Sequence, residues 1–411
     1  MGVDTTVFEH RLAGPPEPDL TPEDVVARAE AMIPALVERQ AETEQRTYYG
    51  QDVHEQFSRA GFYRILVPRR YGGYEFGIDT FVRVVINLTR GCPSTGWMYC
   101  LGAAHALAAA TILGEAAQEE IFASGEFICP ATVMPGGTAE RTSDGDWLIN
   151  GTWGYCSGSP YASHFIGHAM VTPDGGGPPE PMMFIAPRSQ WSRLDDWGGA
   201  LGLKGSGSHS IRIVNGRVPD HYTVKQHMSQ IDVTGGTPGR ALHGPQYGGG
   251  QLTFMVLEDA LLAVGMARGA LDAYEELMRT RTTPFPPIVP RSEDPDFQLR
   301  YGKAAGLIAT AEAATLDVAR QWHEAADAGA AAVTREHELG LAGICSEAVA
   351  LSWRAVESYL FPTAGSSAVR SGERIERVWR DMSMFVTHAG VSTFLATIAK
   401  RDLAKARFGL G

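Results

Sequence analysis

One island of β-favouring sequence, residues 127–224, interrupts a chain whose two flanks read as helix. Trp147, Ile149, Ile166, Phe184, Ile211 and Ile213 stand in short runs separated by Gly, Pro, Asn and Asp turns, the pattern of short strands. Such a chain can fold only as helices, then a compact β unit, then helices. The expected class is therefore α+β, mostly α, with a small antiparallel barrel or sandwich at the centre. Two runs of small residues lie inside the island: NGTWGYCSG at 150–158 and GLKGSGSHS at 202–210. Gly and Ser permit tight turns and let backbone come close to a flat or charged ligand.

The flanks carry helix signals. Thr21-Pro-Glu-Asp24 opens a helix with Thr as N-cap, Pro in the first turn and acids at the positive dipole end. Val25, Ala29, Ile33, Leu36 and Val37 share its apolar face. A second helix ends at Gly61, a third spans 79–90, Ser94 caps a fourth running to 113, and a fifth lies at 117–122. Residues 225–251 are Gly-rich with weak periodicity and read as a linker or mobile loop. Helices at 254–279, 297–328, 336–360 and 373–408 make a C-terminal four-helix bundle, the first ended by the Pro-rich stretch 283–287. The expected division is a helical domain at 1–126, a β domain at 127–225, a linker at 226–251 and the bundle at 252–411.

Bulk properties exclude several function classes. Of the 411 residues 44% are hydrophobic and 20% charged, as in an ordinary soluble protein. A net charge of −12 argues against binding nucleic acid through its phosphates. Five scattered cysteines with no C-x-x-C give no disulfide framework, and a reducing cytoplasm is expected. Residues 1–20 lack a basic segment followed by an apolar run, so no signal peptide is expected. No apolar stretch comes near the roughly 20 residues of a membrane helix. No G-x-G-x-x-G opens a βαβ unit for NAD(P)H, no His/Cys/Asp set has metal spacing, and the 205–209 run is no nucleophile elbow.

The order of the two small-residue runs, with Trp197 before the second and Val218-Pro219 after it, resembles the acyl-CoA dehydrogenase fold. It is most similar to the flavin-dependent monooxygenase branch, in particular the oxygenase components of two-component aromatic hydroxylases of the 4-hydroxyphenylacetate hydroxylase type. The similarity runs from about Thr21 to Gly409. It implies reduced flavin (FMNH2 or FADH2) and O2 as co-reactants, a C4a-hydroperoxyflavin, and a small aromatic, phenolic substrate. Since no nicotinamide site is visible, it implies a separate NAD(P)H-dependent flavin reductase. It also implies a homotetramer, with no nucleic-acid or membrane partner. An acyl-CoA dehydrogenase-like FAD oxidoreductase, with Glu258 standing in for the missing carboxylate base, and an N- or S-oxygenating monooxygenase are the alternatives.

The resemblance assigns roles residue by residue. His388 follows Arg377-Val-Trp-Arg-Asp381, where dehydrogenases carry a Glu base; it becomes a general base for a phenol proton, or else a packed histidine at a subunit contact. Seven residues separate it from Asp381, one helical face if the helix is continuous. Arg380 and Asp381 read as a structural anchor. His105, among Gly102, Ala103, Ala104 and Ala106, lines the substrate pocket or marks tight helix packing; Trp97 and Tyr99 read as core. Ser157 is placed near flavin N5, with Trp153 supporting the ring and Cys156 structural. Gly205, Ser206, Gly207 and Ser208 form a nest of N–H and hydroxyl groups for the flavin's polar edge or phosphate. Arg268, Ser366 and Ser367 are further phosphate partners, the serines from a neighbouring subunit. The loops at 225–251 and 284–296 are candidate lids.

Overall fold

A computed structural model describes residues 14–173 and 175–410. Much of the leader reading therefore falls on residues 1–13, outside the described residues. The N-terminal helices are α1 (Pro22–Ala31), α2 (Ile33–Glu38), α3 (Gln40–Arg46), α4 (Gln51–Arg59), α5 (Ile78–Gly91), α6 (Pro93–Ala103), α7 (His105–Ile112) and α8 (Glu115–Ile121). Thr21 and Asp24 close the expected capping box on α1. The single helix expected from Ser94 to 113 is instead two. Cys92 is the N-cap of α6, and the Gly102 carbonyl accepts the Cys129 N–H at 2.7 Å, where the helical ladder is interrupted before α7.

The island is one seven-stranded sheet in the order β5-β6-β2-β1-β3-β4-β7. Its strands are β1 (Gly137–Arg141), β2 (Trp147–Trp153), β3 (His164–Val171), β4 (Glu180–Pro187), β5 (Ser192–Arg193), β6 (Ile211–Val218) and β7 (Thr223–Val224). It is not purely antiparallel: β1 and β3 run parallel, with Gly137 opposite Ala169. The chain leaving β2 crosses the start of β1 before entering β3, and that crossover, residues 154–163, carries Ser157. Register places three loops at one end of the sheet. Trp153 pairs with Ile211, so the crossover and the loop leading into β6 emerge side by side. The Thr152 N–H donates to Gly136 O, which brings residues 131–136 beside them.

The segment expected as a bare linker contains α9 (Pro238–His243), capped by Thr237 and seated where Gly239 meets Ala110. The bundle consists of α10 (Gln251–Thr280), α11 (Pro295–Ala328), α12 (Arg335–Arg354), the short α13 (Phe361–Ala364), α14 (Arg374–Phe385) and α15 (Ala399–Phe408). α10 lies against α5 because Gly265 and Gly269 present no side chain: a Cβ there would stand 2.5 Å from Thr89 Cβ and 2.7 Å from Arg90 O. Wide turns at Ala355–Leu360 join α12 and α13 into one helix, Arg335–Ala364, long and apolar enough to cross a membrane. The sequence reading had no such stretch. Of its apolar window 56% is buried, and it packs on α10 and α11 as a core helix.

The last helix is not continuous either. α14 stops at Phe385, wide turns run over Gly390–Ile398, and the two halves meet at 54°. Gly390 stands directly after the break and opens the second half. Side-chain hydroxyls take over backbone acceptors there: Thr387 Oγ1 donates to Met384 O at 2.7 Å, and Ser392 Oγ donates to His388 O at 3.0 Å. His388 lies in this break, so it and Asp381 do not share a helical face.

Candidate active site

At the loop end of the sheet, three serine hydroxyls form one chain. The Trp97 indole N–H donates to Ser157 Oγ at 2.9 Å, Ser157 Oγ meets Ser208 Oγ at 2.7 Å, and Ser208 Oγ meets Ser206 Oγ at 2.7 Å. All three serines are buried. An indole N–H can only donate, so Ser157 must accept from it and keeps its own proton to give. Glycine makes the approach possible. Gly207 has φ +59, and a Cβ there would stand 2.9 Å from Met98 Sδ and Pro160 Cδ. The Gly205 N–H donates to Ser94 Oγ at 3.2 Å, so the serine expected to cap a helix fastens this loop to α6. His209 Nδ1 accepts from the Asp196 and Trp197 N–H groups and its other nitrogen meets Thr47, fixing the segment before β6.

Trp153 does not reach a ligand. Its indole is buried between Phe165 and Phe184, edge to face at 5.6 and 5.4 Å, and its N–H donates to His168 O. Tyr155, two residues on, is the exposed aromatic of this segment, in place of Trp153, which the resemblance had supporting the ring. Strand alternation would turn it inward, but β2 ends at Trp153, and φ of +59 at Tyr155 turns its ring outward. The ring is 72% exposed and edge-on to Trp197 at 5.6 Å. Val133 and Met134 are exposed on the adjoining loop. These apolar groups beside a buried hydroxyl donor fit a flat heteroaromatic ring such as an isoalloxazine.

His388 also packs on Trp97, ring to ring at 5.4 Å and 84°. Its Nδ1 is 3.6 Å from Asp259 Oδ1 on α10. Burial pulls the imidazole pKa down, but Asp259 more than offsets this, and the group is held above its ordinary value. Asp259 was missed by the sequence reading. The available signal was a pair of carboxyl groups, Glu258 and Asp259, inside the apolar run of α10. Asp381 has the anchoring role expected of it: its Oδ1 accepts the Leu203 N–H at 2.6 Å, while Arg380 binds Glu44, Glu376 and Leu201 O.

His105 opens α7 with Nδ1 2.7 Å from Cys129 O, and burial holds its pKa down. Gly158 packs its backbone on Gly102 of α6, so the serine crossover and the His105 helix pair meet, although no hydrogen bond among the described residues joins His105 to Ser157 or His388. Arg268 is not open for a phosphate: its Nε donates to Glu312 Oε2 at 2.6 Å in an ion pair between α10 and α11. Ser366 is exposed and Ser367 accepts from Arg281, a guanidinium the sequence reading did not single out. Arg291 holds the same loop by donating to Ala364 O at 2.9 Å. Among the described residues no hydrogen bond links this loop to the serine chain, and no group of His, Cys, Asp and Glu side chains could hold a metal ion.

Comparison with known proteins agrees with this geometry. The acyl-CoA dehydrogenase N-terminal domain family matches residues 23–123, and the acyl-CoA dehydrogenase C-terminal domain family matches residues 258–393. A pigment production hydroxylase of Rhodococcus sp. (strain ATCC 21145) is 30% identical over 396 residues, 94% of this chain and 97% of that protein. The oxygenase component of an FADH2-dependent resorcinol hydroxylase of Rhizobium sp. (strain MTP-10005) is 28% identical, over 81% of this chain and 82% of that protein. The crystal structure of 3-HSA hydroxylase from Rhodococcus sp. RHA1 matches with a TM-score of 0.84 at 26% identity, covering 94% of this chain and 97% of that one. By sequence and by fold, the chain belongs to the flavin-dependent monooxygenases of the acyl-CoA dehydrogenase family.

Proposed function

We propose that this protein is the oxygenase component of a two-component monooxygenase that uses reduced flavin and O2 to hydroxylate a small phenol. The observation that carries the reading is the placement of Trp97, which bonds through its N–H to a hydroxyl group, Ser157, and packs edge-on against an imidazole, His388. The hydroxylase names of the relatives support it, and the Rhizobium relative favours FADH2 over FMNH2. When bound, reduced flavin supplies the activation of O2 that no side chain can provide.

The chain's own residues then have defined tasks. Tyr155, Met134 and Val133 give the ring an apolar face, and Ser157, its acceptor side taken by Trp97, donates to the ring's polar edge. Asp259 holds His388 through Nδ1, leaving Nε2 to take the phenol proton and raise electron density on the aromatic carbon that accepts oxygen. The loop at 363–367, with Arg281 and Arg291, is suited to the phosphate end of a flavin held by a neighbouring copy in a homotetramer. A separate NAD(P)H-dependent reductase delivers the reduced flavin. All five cysteines are free and buried, in keeping with a reducing cytoplasm.

The test supplies chemically reduced FAD or FMN, 18O2 and simple phenols to the purified protein without any reductase. The reading requires a hydroxylated product carrying one labelled oxygen. Oxygen consumption that yields hydrogen peroxide alone, for every phenol and both flavins, would count against it.

A further inference from the structure

Glu258 is a buried carboxyl group that the reaction as described leaves unused. It is 4% exposed, and no hydrogen bond or ion pair to it exists among the described residues. A buried polar group without a partner costs about 1–3 kcal/mol, so a position of this kind persists where something else satisfies it. Its surroundings say what that is. Glu258 precedes Asp259, which holds His388, and α10 packs on α6, where burial first and then the nearby Glu258 and Asp259 push the Cys100 thiol up. Cys100 lies one helical turn from Trp97 on the same face of α6. Glu258 therefore lies next to the carboxyl group that holds His388 and near the α6 segment that carries Trp97.

We propose that Glu258 anchors the substrate by hydrogen bonding to a second, neutral oxygen on the phenol ring, a hydroxyl or a ketone. This assignment rests on the proposed hydroxylase function and narrows its substrate class. Burial and the adjacent Asp259 push the Glu258 carboxyl well above its ordinary range, toward the protonated form, which can both donate and accept a hydrogen bond. That also makes it a poor candidate for taking an α-proton in a dehydrogenase. Neither Glu258 nor Asp259 pairs with a lysine or arginine among the described residues, and His388 is the one basic group in contact with Asp259. A carboxylate substituent would thus meet two acidic groups and no free cation. Phenols with a second neutral oxygen should bind, and phenols bearing a carboxylate should be turned away.

The experiment is calorimetric binding to the full chain loaded anaerobically with reduced FAD, using resorcinol, phenol and 3-hydroxybenzoate as probes. The wild type should bind resorcinol about tenfold more tightly than phenol, the worth of one buried hydrogen bond, and 3-hydroxybenzoate more weakly than either. Glu258→Leu should bring the resorcinol-to-phenol ratio to about one, whereas Glu258→Gln, still a neutral donor and acceptor, should keep most of it. In the ligand-free chain, Glu258→Leu should melt no lower than the wild type, because it removes an unsatisfied polar group. A ratio that Glu258→Leu leaves intact, a wild type that does not distinguish the probes, or 3-hydroxybenzoate binding as tightly as resorcinol would each overturn the assignment. Selective binding without oxygen transfer would instead defeat the hydroxylase reading and leave the anchor standing.

Discussion

Two groups of polar side chains meet at one indole, a serine side and a histidine side, and differ in how they are satisfied. On one side Ser157, Ser208 and Ser206 bond to each other and to Trp97 at 2.7–2.9 Å. On the other, His388, Asp259 and Glu258 have a single 3.6 Å contact among them, and His388 keeps 46% of its side-chain surface exposed. The serine side is built in advance, so its dipoles need no reorganisation when charge develops nearby. The histidine side keeps bonding capacity for a molecule yet to arrive. Under the proposed function, this difference fits the serine side to the cofactor, which is the same in every turnover, and the histidine side to the substrate.

The sharpest way to break this division is His388→Ala. Removing a general base should lower hydroxylation by roughly 10²–10⁴-fold, while oxygen is still consumed and now leaves as hydrogen peroxide. Product and peroxide yields read this directly; oxygen uptake falling in step with product would make His388 a structural residue.

Ser157→Ala should act on the other side. It strips the donor from the cofactor and leaves the Trp97 N–H unpartnered, a loss of about 1–3 kcal/mol, so reduced-flavin affinity should fall by roughly tenfold or more. Ser206→Ala, at the far end of the chain, should cost less. Equal losses from the two variants would mean that the hydroxyl chain serves the fold alone.

Asp259→Asn tests the histidine side by pH. His388 must be neutral to take a proton, so hydroxylation should rise with pH through its pKa, which Asp259 holds above the ordinary value of about 6.5. Without the carboxylate that rise should move to lower pH. The sign for stability follows from the same shift. Folded protein binds the His388 proton more tightly than unfolded protein, so the contact stabilises the fold fully below the unfolded pKa. Its contribution is lost as pH rises through the folded one. A pH profile unmoved by Asp259→Asn would remove Asp259 from the mechanism.

Gly390→Ala should give the smallest effect, in the same direction. A Cβ there would stand 2.8 Å from Asp259 Oδ2 and 3.1 Å from His388 Nδ1, so the carboxylate must give way. A partial shift of the same pH profile is expected.

Much of this was legible in the sequence. The β island and its flanking helices follow from residue pattern and turn chemistry, and the serine and glycine runs sit where the sheet register brings them together. What was not legible depended on contacts distant in sequence or on a local break in a repeat. Thr387 and Ser392 bond back to carbonyls around a break that Gly390 closes, which moves His388 off the Asp381 face and toward Asp259. The resemblance drew attention to Trp153, yet β2 ends there and Tyr155 turns outward. Arg268 read as a free cation because nothing local identifies Glu312 as its partner.

The central claim is that the serine side holds the flavin and the histidine side the substrate. It is tested most directly by mixing protein loaded anaerobically with reduced FAD into oxygenated buffer. Oxygen, oxidised-flavin absorbance and hydrogen peroxide are followed together in the wild type, Ser157→Ala and His388→Ala. The account predicts that in the wild type oxygen disappears before oxidised flavin and peroxide appear, that Ser157→Ala closes this interval, and that His388→Ala preserves it. Flavin that reoxidises as it does free in solution, or an interval abolished by His388→Ala and untouched by Ser157→Ala, would contradict it.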